Sequence, residues 1–321
     1  KRINAITKWT SIKTKETLIY LIWTIKDCIM CLENQHLRNV YEIPEGEKTG
    51  KGRAIQNLMQ LPPDDKVRAI LDVKDLKDEE FVNSHNIVLC TKKGIIKKTA
   101  LEESSRPRQT GVNAINIIEG DDLIEARMTD GNSEIMMAVK SGRAIRFSEQ
   151  KVRATGRGAI GVGGIHVDDD NDEVVGMICV NPATDVTKTV MVVSEKGYGK
   201  RTAVDEYRYT NRGGKGVKTI NVTEKTGALI GMLAVEETQD IMITCKSGVT
   251  IRMPVSGISE QGRATQGVKV IRLDEGDEIA AITKLDDQTE PENEENGPAE
   301  NDNATQPGEN PSTENNNEES I

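Results

Sequence analysis

Lysine and arginine recur at matched places along this chain. Four times they follow a glycine at a short, fixed interval: Lys97 and Lys98 after Gly94, Arg143 and Arg146 after Gly142, Lys200 and Arg201 after Gly197, and Arg252 after Gly248. A second set lies in glycine-containing loops. It comprises Lys51 and Arg53, Arg106 and Arg108, Arg153 and Arg157, then Arg208, Arg212, Lys215 and Lys218, and finally Arg263 and Lys269. Cations that return at a constant period suit a ligand whose anions also do, as the phosphates of duplex DNA do. If the repeating units are arranged radially, equivalent loops form a curved cationic track. Bending a duplex along such a track costs roughly 1–6 kcal/mol for 40–90° over 20–30 base pairs, offset by the added phosphate contacts. The plainer alternative is that these side chains sit on solvated strand edges and block aggregation.

The most specific local motif is the loop from Thr210 and Asn211 through Arg212, Gly213, Gly214 and Lys215 to Gly216. Three glycines in four positions let the backbone reach positive φ and approach a ligand closely. Its N–H groups, with Arg212 and Lys215, suit phosphate oxygens. A mononucleotide P-loop is excluded, because Lys215 is followed by Gly-Val-Lys-Thr-Ile, a strand pattern and not a helix start.

Catalytic chemistry has little to work with. His36, His85 and His166 are isolated. The run Asp168-Asp169-Asp170-Asn171-Asp172 lacks the glycine and glutamate of a calcium loop. Cys28 and Cys31 have no second pair for zinc. Tyr198, Tyr207 and Tyr209 share one repeat without an attendant base, and aromatic residues are too sparse for single-strand stacking. No catalytic residue and no metal site is expected.

The elements that must position these cations form a repeat. One piece is an apolar run, a Lys-Gly or Ser-Gly turn and a basic run: NIVLCTKKGIIKKTAL, EIMMAVKSGRAIRFSE, TVMVVSEKGYGKRTAV and DIMITCKSGVTIRMPV. The short, β-branched, continuous runs predict strands buried on both faces, and the turn glycine fits a tight hairpin. A basic glycine loop with a short β-run follows, its aligned glycines being Gly52, Gly111, Gly161, Gly216 and Gly267. An acidic turn and a further strand close each unit. About four strands in about 50 residues predict an all-β, propeller-like array of blades. Unrelated hairpins in a sandwich are the alternative.

Composition agrees. Only 3% of the 321 residues are aromatic and 28 are glycine. The net charge of −10 is uneven: residues 286–321 hold 12 carboxylates and no Lys or Arg, while the remainder carries 42 basic and 40 acidic residues. Residues 286–321 are predicted to be a disordered acidic tail, 40–285 the repeat domain, and 1–39 an atypical segment without a hairpin of the repeated kind. No secretory signal is expected. The most apolar segment, from Leu18 to Leu32, is interrupted by Lys26 and Asp27 and is too short to span a membrane. Five scattered cysteines fit a reduced, cytosolic setting.

The Arg-Gly-Gly-Lys-Gly loop, the GKRTAVDEY stretch, the VYEIPEGEKTGKGRAIQNL stretch and the acidic tail together resemble the DNA-wrapping C-terminal domain found in the A subunit of bacterial DNA gyrase, a type IIA topoisomerase. The resemblance runs from about Val40 to Leu285. It implies a β-pinwheel whose rim wraps duplex DNA and supports negative supercoiling. It also implies a bacterial cytoplasmic, chromosome-associated protein in an A2B2 holoenzyme. The partners there are a second copy of the A subunit, together with the gyrase B subunit, through which ATP and magnesium act. No cofactor is expected in this chain. The family's signature loop reads Gln-basic-Arg-Gly-Gly-Lys-Gly and belongs to the first blade; here Arg212 to Gly216 match it, within a late repeat. Two readings compete: the related domain in the A-type subunit of topoisomerase IV, and a protein-binding propeller scaffold.

Overall fold

The computed structural model describes residues 28–33, 36–40, 67–73, 76–106, 112–168 and 171–285. Strands β1 (Cys28–Glu33) and β2 (His36–Val40) form a hairpin, and β3 (Val67–Val73) pairs with β1. A short helix, α1 (Glu79–Ser84), is started by Asp78, whose carboxylate accepts from the N–H groups of Glu80 and Phe81. The hairpin β4 (Asn86–Thr91) and β5 (Ile95–Ala100) follows, then β6 (Val112–Asn113) and β7 (Leu123–Thr129). The same order returns as β8 (Glu134–Val139), β9 (Arg143–Ser148), β10 (Val162–Gly163) and β11 (Val174–Val180). It returns again as β12 (Thr189–Ser194), β13 (Tyr198–Ala203), β14 (Val217–Lys218) and β15 (Leu229–Val235). The last set is β16 (Asp240–Cys245), β17 (Thr250–Pro254), β18 (Val268–Lys269) and β19 (Ile279–Leu285).

These strands make five antiparallel sheets: β3-β1-β2-β6, β7-β4-β5-β10, β11-β8-β9-β14, β15-β12-β13-β18 and β19-β16-β17. The fold is all-β and built of blades, as the repeat predicts. The sequence repeat and the blade are nevertheless cut at different places. The two-residue strand of each glycine loop leaves its own unit and pairs with the preceding hairpin, as Val217 and Lys218 do with Ala144 and Arg143. Each of the first four blades is therefore completed by the repeat after it. A hairpin also forms over Cys28–Val40, where the sequence shows no Lys-Gly turn to mark one. The acidic tail, Lys51, Arg53, Arg108, Gly52 and Gly111 lie outside the described residues.

Burial explains the composition. The central strands β4, β8 and β12 are buried on both faces, so they read as continuous apolar runs. Between neighbouring blades lies a layer such as Val88, Ile96, Met137, Phe147, Ile165 and Met177. Strands β3, β7, β11, β15 and β19 pack against one another in succession.

The turn glycines have a second duty beyond positive φ. A Cβ on Gly197 (φ +81°) would sit 2.6 Å from the Ile271 carbonyl oxygen, because the donated segment crosses the turn. The Gly197 carbonyl accepts there from the Val270 N–H at 2.8 Å. Gly94 and Gly142 repeat this approach. The acidic turns are latches. The carboxylates of Asp121, Asp172 and Asp277 accept from the hairpin-turn N–H groups of Lys93, Ser141 and Ser247 at 2.8, 2.9 and 3.1 Å.

Candidate nucleic-acid interface

The cations that follow the turn glycines lie mostly inside the blades. Four residues past the glycine, the side chain reaches the main chain of the short 3-10 turn that follows the next hairpin. Lys98 Nζ donates to the Glu149 carbonyl at 3.0 Å. Arg146 donates from Nη1 to the carbonyls of Val204 (2.8 Å) and Tyr207 (3.1 Å), and from Nε to the Glu134 carboxylate (2.6 Å). Arg201 Nε donates to the Ile258 carbonyl at 2.7 Å. Arg252, in the last blade, is exposed and pairs with Asp240 on its own hairpin. Three residues past the glycine, Lys97 and Lys200 are 1% and 0% exposed. Lys97 donates to the Ala114 and Arg157 carbonyls, and Lys200 to those of Gly262 and Arg263. This set of cations joins one blade to the next and is not displayed as a surface track. Lys97, Lys98, Lys200 and Arg201 are buried and Arg146 is nearly so. Arg143 is half-buried, its Nε donating to the Lys215 carbonyl at 3.1 Å.

The glycine-loop set is different. Arg106, Arg153, Arg208, Arg212, Lys215, Lys218 and Lys269 are exposed, and Arg157 and Arg263 are half-buried. The loops touch in sequence. The Asn116 side chain donates to the Gly158 carbonyl at 2.6 Å. Gly213 N–H donates to the Gly164 carbonyl at 2.6 Å, and His166 N–H to that of Gly214 at 2.9 Å. Arg263 Nη1 donates to the Lys218 carbonyl at 2.6 Å, and Asn221 N–H to that of Thr265. Loops from successive repeats thus form one continuous ribbon, with exposed cations on each of its members.

The loop from Arg212 to Gly216 is held by its main-chain bonds to Gly164 and His166, by Arg143 and by its own Arg212 and Lys215. Gly213 and Gly216 adopt φ of +79° and +71°, and a Cβ on Gly216 would lie 2.5 Å from the Ala144 carbonyl oxygen. Arg212 donates to the carbonyls of Lys151 and Gly163, both at 3.1 Å. Lys215 Nζ lies 2.6 Å from the Asp168 carboxylate. The hydrogen bond and charge of Lys215 hold the Asp168 carboxyl below its ordinary range. Lys151, which the repeat pattern did not single out, donates to the Thr210 carbonyl and the Asn211 side chain and lies over the Tyr209 ring. Its signal was its place two residues before Arg153, at the foot of the same loop.

Tyr207 is buried, its hydroxyl 2.5 Å from that of Thr219. The Cys90 thiol donates to the Thr91 carbonyl at 3.6 Å, and burial pushes the Cys179 thiol up to about 12, far from a reactive thiolate. Among the described residues no group of His, Cys, Asp or Glu is placed to hold a metal ion, and no helix is long and apolar enough to cross a membrane.

Five segments, residues 38–74, 85–130, 133–181, 188–236 and 239–286, match the model of the DNA gyrase C-terminal domain, a β-propeller family. The chain belongs to the DNA gyrase C-terminal domain family. It is 40% identical over 248 residues to the DNA gyrase A subunit of Staphylococcus epidermidis, covering 77% of this chain and 27% of that protein. The same identity holds over 255 residues with the DNA gyrase A subunit of Staphylococcus aureus MRSA252, covering 79% and 28%. The chain thus spans about a quarter of the length of these relatives. A solved DNA gyrase A C-terminal domain superposes with a TM-score of 0.69 at 25% identity, covering 87% of this chain and 90% of that one. The C-terminal domain of DNA topoisomerase IV superposes with a TM-score of 0.70 at 21% identity, covering 81% and 79%, a likeness of fold alone.

Proposed function

We propose that this gyrase C-terminal domain binds duplex DNA along the ribbon of glycine loops and wraps it, so that a gyrase holoenzyme can introduce negative supercoils. The observation that carries this reading is the edge-to-edge contact of loops from successive repeats, with outward cations on each. A continuous cationic ribbon offsets the bending of DNA over its whole length, which isolated basic patches do not. The contacts assigned to phosphate are Arg106, Arg153, Arg157, Arg208, Arg212, Lys215, Lys218, Arg263 and Lys269. The backbone N–H of Gly214 adds to Arg212 and Lys215, that of Gly213 being taken by the Gly164 carbonyl. Lys97, Lys98, Arg146, Lys200 and Arg201 act from beneath, as blade-to-blade joints.

The whole-enzyme setting follows the relatives. We assign the chain to the A subunit of a bacterial, cytoplasmic A2B2 assembly, in which the B subunit uses ATP and magnesium and cleavage occurs outside the described residues. The topoisomerase IV domain shares the fold, but the relatives 40% identical to this chain are gyrase subunits.

The test is topological. Relaxed circular DNA is incubated with the chain, relaxed again by a type I topoisomerase, and freed of protein. A linking difference of positive sign that grows with protein is expected for chiral wrapping. Its absence, with binding retained, overturns wrapping. Absence of binding at low salt favours a protein-binding scaffold.

A further inference from the structure

Two ammonium groups lie under the ribbon where no duplex can reach them. Lys97 on β5 donates to the Arg157 carbonyl at 2.6 Å, and Lys200 on β13 to the Arg263 carbonyl at 2.6 Å. In both cases the gripped residue is an arginine of the next repeat's glycine loop, and its side chain remains partly exposed. Lys200 is also fixed by the Gly262 carbonyl and the Thr265 hydroxyl. The equivalent place after Gly142 is Ile145, which is buried and apolar. A blade therefore closes without a cation here, and burying one is costly unless its bonds are needed. Burial lowers both lysines from the ordinary ammonium value to about 8. The charges acting on them are Glu103 and Arg157 for Lys97, and Arg263 and Glu206 for Lys200.

We propose that Lys97 and Lys200 are positioning residues for the DNA path, each fixing the main chain from which the next repeat's arginine meets phosphate. The inference rests on the DNA-binding reading above. Where Ile145 replaces the lysine, no buried cation grips the loop from beneath; half-buried Arg143 holds the Lys215 carbonyl, main-chain bonds join Gly213 and Gly214 to Gly164 and His166, and Arg212 and Lys215 add their own contacts. The lysines fix the Arg157 and Arg263 main chain from beneath, while the Arg263 guanidinium also reaches the Lys218 carbonyl.

The experiment is a double-mutant cycle in the full 321-residue chain, read as the salt dependence of binding to linear duplex DNA. Lys200→Met, Arg263→Ala and the double variant are compared with the parent after circular dichroism has confirmed folding. Arg263→Ala is expected to flatten the slope of log K against log salt by about 0.9, one phosphate contact. Lys200→Met is expected to flatten it by a similar amount, and the double variant by no more than Arg263→Ala alone. Additive losses, or an unchanged slope in Lys200→Met, overturn the proposal. An unchanged slope in Arg263→Ala also overturns it while leaving DNA binding intact. A parent without salt dependence removes the DNA-binding reading itself. If Lys200→Met does not fold, Thr265→Val, which loosens the same ammonium, and the Lys97→Met and Arg157→Ala cycle decide by the same criteria.

Discussion

Lys215 and Asp168 meet at 2.6 Å across the seam between two glycine loops. The carboxylate occupies the place beside Lys215 that a DNA phosphate would need. Both side chains are substantially exposed, so water screens the pair and its strength is modest. Asp168→Asn should therefore raise affinity for duplex DNA at low salt by roughly two- to fivefold. Lys215→Ala in the same background should remove the gain. Filter binding or fluorescence anisotropy in low salt measures both. Because Lys215 holds the Asp168 carboxyl below its ordinary range, this carboxylate should stay ionised between about pH 5 and 8.

The buried joints and the exposed loop cations should separate in opposite assays. Arg146→Ala removes the donor to the Glu134 carboxylate and to the Val204 and Tyr207 carbonyls, of which only Val204 keeps another, the Tyr207 N–H. It should lower stability by about 3–5 kcal/mol. Arg212→Ala should change stability by less than about 1 kcal/mol and weaken DNA binding. Urea denaturation and a salt-dependent binding series, run on both variants, check this.

Lys200 supplies a pH signature. Its ammonium is lowered to about 8 in the fold, against 10.5 for the ordinary group. Between these values the unfolded chain retains a proton that the folded chain has released. The group's contribution to stability therefore rises with pH across that window and is constant below it. Lys200→Met should be less stable than the parent by about 1–3 kcal/mol near neutrality, from the Arg263 carbonyl left without this donor, the Gly262 carbonyl keeping Thr265. The gap should widen between about pH 8 and 10. A gap that narrows contradicts the assignment of that ammonium to the interior.

Two turn glycines with similar φ should respond unequally. Gly197→Ala sets a methyl group against the Ile271 carbonyl, whereas Gly248→Ala meets open space. Strain from positive φ alone should cost about 1–2 kcal/mol in Gly248→Ala. Gly197→Ala should cost about 1–3 kcal/mol more, because the donated segment must move. Thermal or urea unfolding of the two variants gives the difference directly.

Much of this fold is legible in the sequence. The order hairpin, glycine loop, acidic turn and strand is visible four times, and it predicts blades because each piece has its own turn chemistry. Strand exchange between repeats is not legible. A two-residue strand such as Val217–Lys218 carries no periodicity that names its partner. The cations show a different limit. Lys and Arg are rarely buried, so type alone places Lys200 on the surface with Arg212. A signal did exist. Strand β13 pairs with β12, which is buried on both faces, and Gly199, Lys200, Arg201 and Thr202 are buried in succession beside it. Where a strand beside an enclosed one is itself buried, as β5 and β13 are, any cation on it needs main-chain acceptors within reach. The loop residues, free of that constraint, keep their charges in solvent as their types suggest.

The exchange of strands has a mechanical consequence. A bent duplex pulls outward on whatever grips its phosphates. In each of the first four blades the outermost strand and the hairpin beside it belong to different repeats. Tension on one glycine loop is thus shared, through shear along a sheet, with the neighbour that received its strand. Peeling one blade away requires loosening another, so on the proposed DNA path the array would answer tension as an interlocked chain and not as separate beads.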